Sequence, residues 1–284
     1  MEMLAMRIIT DKMIQNFKNY LTEEEKSKAT IEKYIRDITA LQNWSKECCI
    51  EKAVILEYKE IIKGKYATRS VNSIISSINS FFDFVAWEDC KVKLLKVQKQ
   101  IFADESKELK KEECERLLKA ALDSKNERLY YLMQTICSTG IRVSELKFIT
   151  VEAVGLRQAK INCKGKERVV ILSGSICKLL RKYIKKNKII SGSVFITKNG
   201  KPLDRSNIWA DMKKLCELAD VAKEKVFPHN LRHLFARTFY SIDKDIAHLA
   251  DILGHTSVNT TRIYIMETGE THRRQIEKMH LLRC

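Results

Sequence analysis

Ile31, Tyr34, Ile35, Ile38, Leu41 and Trp44 recur every three or four residues, and so do Val71, Ile74, Ile75, Ile78, Phe82 and Val85. These two stripes constrain the fold more than any other feature. At 3.6 residues per turn, each lies along one side of a helix and has to be covered. Thr30 is placed to cap the first helix, and Thr68 or Ser70 to start the second. Further helices are predicted over 50–63 and, shorter, over 10–21. Four such helices can enclose one small core. The pattern then lapses into a charged stretch without periodicity near 97–107. The expected organisation is therefore a helical domain over 1–100, a linker over 101–108 and a second domain over 109–284.

The second domain restarts with a helix in "KKEECERLLKAAL". "AKINCKGKERVVIL" (159–172) differs from its surroundings: two short β-type runs, Lys160–Cys163 and Arg168–Leu172, flank a Lys-Gly-Lys turn and predict a hairpin. Helices are predicted again over 174–188, 204–220 and 229–240, and onward from 243. The fold class is mainly α with a small β-hairpin: a helical domain followed by a mixed α/β domain. A chain of 284 residues has ample length for two real cores.

Charge narrows the function. The net charge is +16, unevenly spread. Residues 1–104 hold 17 basic and 15 acidic side chains, whereas 105–284 hold 35 and 21, a net of +14. A basic surface of that size attracts polyanions, and nucleic acid is the expected partner. No apolar run reaches the ~20 residues needed to span a bilayer, and charge interrupts the N-terminus too early for a signal peptide. Nine cysteines without a CxxC pair argue against a zinc site or a disulfide framework and fit a reducing cytosol.

Four islands carry residue types suited to chemistry. "STGIRVSELKFIT" offers Arg142, with Glu145 behind it, after a turn at Gly140. The hairpin turn offers Lys164 and Lys166 around Gly165. In "PHNLRHLFA", Pro228 suits a helix start and places His229 and Arg232 on one face, with His233 beside His229. "LGHTSVNTTRIY" offers His255 and, nine residues on, Tyr264. The HxxxH spacing alone could suggest a metal, but an arginine beside the pair favours an anion over a cation. Arginine forks match two phosphate oxygens, so together these side chains make a receptor for a phosphodiester. No acidic metal ligands and no GxxxxGK[ST] accompany them.

The quoted islands "TGIRVSEL", "CKGKERVVIL", "HNLRH" and "LGHTSVNTTRIY" resemble, in order and in spacing, the motifs of the tyrosine recombinases, the phage-integrase and Xer-like site-specific recombinases. The resemblance implies a two-domain protein with a helical core-type DNA-binding domain and a catalytic domain. It implies cutting and rejoining of DNA through a 3′-phosphotyrosyl intermediate, without metal, ATP or other cofactor. Tyr264 is the implied nucleophile, which needs assistance because an unperturbed phenol has a pKa of about 10. Arg142 and Arg232 are implied to hold the non-bridging oxygens, with His255 donating a hydrogen bond to one of them. His229 orients the phosphate or accepts the tyrosine proton. Lys164 protonates the leaving 5′-oxygen; it stands before the turn glycine, in a turn one residue shorter than is usual. Glu145 and His233 are supporting positions. The implied partners are double-stranded DNA with a specific site and further copies of the chain, four on two duplexes, joined by exchange of a C-terminal helix beginning near Thr271. The implied location is the cytoplasm, at the nucleoid. The alternatives are a type IB topoisomerase-like relaxing enzyme and a catalytically inactive DNA-binding accessory protein.

Overall fold

The computed structural model describes residues 7–46, 48–97, 104–163, 166–197, 199–201, 203–266, 273 and 276–279. The chain divides into two compact units, Met1–Lys99 and Gln100–Cys284.

The first unit is built from four helices, α1 (Asp11–Glu23), α2 (Lys28–Ser45), α3 (Lys52–Lys65) and α4 (Thr68–Phe84). The two stripes read from the sequence turn inward: Ile38 and Leu41 of α2 and Val71, Ile75, Ile78 and Phe82 of α4 are buried with Phe17 and Leu21 of α1. The cap of α2 differs from expectation. Ser27, three residues before Thr30, accepts the Thr30 N–H at 3.3 Å and starts the helix a turn earlier. Thr30 is thus inside the first turn, its hydroxyl 2.8 Å from that of Ser27.

The second unit begins with α5 (Lys111–Asp123) and α6 (Glu127–Thr139), followed by a 3₁₀ turn over Val143–Phe148 and the short α7 (Val151–Leu156). β1 (Gln158–Cys163) and β2 (Lys166–Ile171) form the two-stranded antiparallel hairpin, in a register that pairs Gln158 with Ile171 and Cys163 with Lys166. Its strands are longer than predicted, and their alternation is legible: Val170 faces inward while Val169 and Ile171 stay exposed. Lys164 and Gly165 lie outside the described residues. Then come α8 (Gly174–Lys186), α9 (Arg205–Lys214), α10 (Cys216–Ala219), α11 (Pro228–Asp243), α12 (Ile246–Leu253) and α13 (Val258–Arg262). The single helix expected over 204–220 is two, interrupted at Leu215. Most of the segment from Thr271, expected to be a C-terminal helix, lies outside the described residues.

Packing around α6 positions the chemistry. α6 ends at Gly140, whose left-handed conformation (φ 62°) turns the chain toward Arg142. A Cβ at Gly140 would stand 2.4 Å from the Phe235 ring of α11, so the glycine also lets α11 lie close against α6. α11 starts with Pro228 at its first position, where the missing N–H costs nothing. Its first two turns therefore present His229, Arg232 and His233 beside the end of α6.

Candidate active site

The centre of the site is the C-terminal end of α12. The last carbonyls of a helix have no partner within it and carry the negative end of its dipole. Here three consecutive carbonyls each take a different arginine. Arg168 donates to Ile252 O at 2.8 Å, Arg232 to Leu253 O at 2.7 Å and Arg142 to Gly254 O at 3.5 Å. Arg232 also donates to Gly140 O, which ties α11 and α12 to the end of α6. Gly254 closes α12 in the left-handed conformation (φ 63°), and the His255 N–H reaches back to Ala250 O at 2.9 Å.

Arg232 is buried, with 1% of its surface exposed. Burial, followed by the neighbouring charge of Arg142, lowers its pKa to about 10, so it keeps its charge at neutral pH. Arg142 is more open and lines a cleft of about 590 Å³ together with Arg205, Trp209, His229 and Arg232. Its guanidinium is held from behind by Glu145, whose carboxylate accepts from Arg142 Nη1 and from the Arg142 backbone N–H, both at 3.0 Å. Burial alone would raise the pKa of Glu145. The bond from Arg142 and the charge of Arg168 overcome that and hold it below the usual carboxylate range.

His255 stands between these groups and the tyrosine. Its Nε2 is 3.0 Å from Arg232 Nη2 and its Nδ1 is 2.9 Å from the hydroxyl of buried Thr261. Arginine only donates, so Nε2 accepts, and in the neutral ring Nδ1 donates to Thr261. Burial and then the charges of Arg232, Arg142 and Arg168 lower the pKa to about 4, which keeps the ring neutral. In this arrangement His255 orients Arg232; donating to a phosphate oxygen needs Nε2 protonated.

Tyr264 is buried, at 6% exposure, in a small cluster with Ala236, Leu249 and Leu253. Its ring stacks on His233 (centroids 4.2 Å apart, 17° between planes), meets His229 edge-on at 5.2 Å and lies 5.0 Å from His255. The Arg232 guanidinium sits 5.8 Å from its centroid. His233 is buried enough, and close enough to His229 and Arg237, that its pKa falls to about 3. His229 is exposed as a residue, yet its ring packs edge-on against His233 and Tyr264. That enclosure, with the charges of Arg232, Arg205 and Arg142, lowers its pKa and leaves it able to accept a proton at neutral pH.

Of the six residues predicted to carry the chemistry, Arg142, His229, Arg232, His255 and Tyr264 therefore gather around the ends of α6 and α12 and the start of α11. The sixth, Lys164, lies outside the described residues. Two residues not singled out in the sequence belong to the same network. Arg168 bridges the hairpin to Glu145 and α12, and Thr261 holds His255. A signal for Arg168 did exist: a charged residue in the inward register of β2, two positions before buried Val170. Thr261 carried none, since a threonine between helical neighbours is ordinary. Among the described residues no group of three His, Cys, Asp or Glu side chains is placed to hold a metal ion, and no helix is long and apolar enough to cross a membrane.

The profile of the phage integrase family matches residues 107–270, and that of the phage integrase N-terminal SAM-like domain matches residues 14–89. The tyrosine recombinase XerA of Pyrococcus horikoshii is 28% identical over 284 residues, covering 97% of this chain and 96% of that one. A crystal structure of XerA recombinase aligns over 97% of this chain and 100% of its own, at 26% identity and a TM-score of 0.53. A lambda integrase dimer bound to a COC′ core site shares the fold at a TM-score of 0.75 and 17% identity, over 92% of this chain and 96% of that one.

Proposed function

This chain belongs to the phage integrase family, and on that premise we propose that it is a site-specific DNA recombinase that cuts and rejoins DNA through a tyrosine-linked intermediate. Xer recombinases that match nearly the whole chain favour this reading over a relaxing topoisomerase or an inactive accessory protein. The observation that carries it is the convergence of Arg142, His229, Arg232, His255 and Tyr264, from three separate stretches of sequence, around one helix end.

In the proposed reaction the Tyr264 oxygen attacks the scissile phosphorus and a P–O bond to tyrosine forms. The P–O bond to the 5′-oxygen breaks. The 3′ end stays linked to the enzyme and the 5′ end leaves as a hydroxyl. The tyrosine proton passes to a base, for which His229 is proposed; its edge-on contact with the Tyr264 ring and its lowered pKa support this reading. Arg142 and Arg232 hold the charge on the non-bridging oxygens as it develops. Lys164 protonates the 5′-oxygen. A 5′-hydroxyl of a partner strand then attacks the phosphotyrosine and restores the tyrosine. The phosphodiester energy is retained in the covalent intermediate, so the cycle needs no ATP.

The partner is double-stranded DNA at a recombination site. The finer assembly is four protomers on two duplexes, coupled by exchange of the tail after Tyr264 and located at the nucleoid. The testing experiment is Tyr264→Phe on a nicked suicide duplex, built on a site recovered by sequencing DNA trapped on the wild-type chain. The variant binds the duplex and forms no covalent adduct. An adduct that survives a denaturing gel in Tyr264→Phe overturns the assignment.

A further inference from the structure

Arg168 is committed on both sides of its guanidinium. Nη2 meets the Glu145 carboxylate at 2.5 Å and Nη1 donates to Ile252 O at 2.8 Å. Its side chain is 14% exposed. Its stem passes directly beneath Gly254: a Cβ there would stand 2.3 Å from Arg168 Cδ. The glycine of the Leu-Gly-His turn is thus required twice, by its backbone conformation and by the arginine under it.

We propose that Arg168 is a positioning residue for DNA cleavage: by joining β2 to Glu145 and to the end of α12, it sets how Arg142 is presented to the scissile phosphate. The inference rests on the cleavage reaction proposed above. Two features carry it. First, one buried carboxylate, 4% exposed, is shared between Arg142 and Arg168. Without Arg168 the whole charge of Glu145 falls to Arg142, which is then held back from a phosphate. Second, the Arg168, Arg232 and Arg142 guanidiniums occupy successive carbonyls, so loss of the first frees the strand carrying it from the turn before His255. Arg168 also belongs to the hairpin whose turn carries Lys164, so seating the hairpin and aligning Arg142 become one event.

The test is a double-variant cycle read as single-turnover adduct formation on the nicked suicide duplex. Arg168→Met keeps the stem and removes both bonds. It is expected to slow cleavage by roughly 10- to 100-fold while duplex affinity stays within about twofold. In an Arg142→Ala background the same change is expected to cost less than about threefold, because the group being positioned is gone. Arg168→Lys, able to reach the carboxylate or the carbonyl but not both, falls between wild type and Arg168→Met. Equal slowing in both backgrounds, or wild-type cleavage by Arg168→Met, overturns the proposal. If thermal melting shows Arg168→Met unfolded, Arg168→Lys carries the same cycle. A wild-type chain that forms no adduct refutes the recombinase reading itself, whereas failure of the cycle alone refutes only the role of Arg168.

Discussion

At the scale of single residues, the site is built by burying charge and paying for it with backbone carbonyls. Arg232 is the largest fully buried side chain among the described residues, and its η nitrogens meet Gly140 O and Leu253 O. Burial first, and then neighbouring charges that include that of Arg232, lower the pKa values of the histidines around Tyr264. That has a consequence for pH. The pKa of His233 is about 3 in the folded chain, against about 6.5 for a free histidine. Between those values the unfolded chain takes up a proton that the folded chain refuses. Stability is therefore complete above the unfolded value and falls as pH falls through this window. His255, lowered to about 4, acts in the same direction. The urea midpoint of the wild type is expected to drop from pH 7 to pH 5, and that of His233→Phe to drop less, since the ring stacked on Tyr264 no longer titrates. Parallel pH profiles for the two chains would refute the assignment.

At the scale of elements, agreement between sequence and structure follows from how each element is buried. α2 and α4 present one apolar side and expose the other, so their periodicity marks them. α6 buries Leu129, Tyr131, Leu132, Met133, Thr135, Ile136 and Thr139 and leaves only Ser138 exposed, so it is enclosed on most sides. Ser27 took the cap from Thr30 because either hydroxyl suits the position and only the helix length decides. The hairpin was legible from its β-type runs, and its register puts Cys163 opposite Lys166 at the closed end. That end carries the proposed general acid. Lys164→Ala is expected to slow cleavage of an ordinary duplex by about 10²- to 10⁴-fold. A 5′-bridging phosphorothiolate, whose sulfur leaves without needing a proton, should restore it. Lys166→Ala is expected to cleave both substrates. Rescue confined to Lys166→Ala would transfer the role to Lys166.

At the scale of the whole molecule, the proposed assembly draws on the basic excess of residues 105–284 and on the segment after Tyr264. Binding dominated by phosphate contacts is expected to weaken by about 10³-fold or more between 50 and 200 mM salt. Tyr264 is followed by 20 residues, whose second half includes the apolar Ile276, Met279, Leu281 and Leu282. If this tail couples protomers, a chain ending at Thr268 is expected to bind one half-site near normally. It should lose cooperative loading of a second protomer and lose recombination with it. Mobility shifts on single and paired half-sites, with a recombination assay beside them, measure this. Full recombination by the truncated chain would show that the tail is not the coupling element.

The sequence by itself determined the helical first domain and the hairpin, because these are written in local spacing, a period of 3.6 and an alternation of two; the candidate chemical residues came from the resemblance of four motifs to a known family, not from spacing alone. Only the tertiary structure decided how Arg168, Arg232 and Arg142 share the end of α12, why Gly254 has no room for a side chain, and that Tyr264 is both packed and surrounded by the histidines. The acceptors at that helix end are backbone carbonyls. Every residue carries one, so no side-chain pattern marks which of them will be left free, and only the packing of α6, α11, α12 and the hairpin brings three guanidiniums to them.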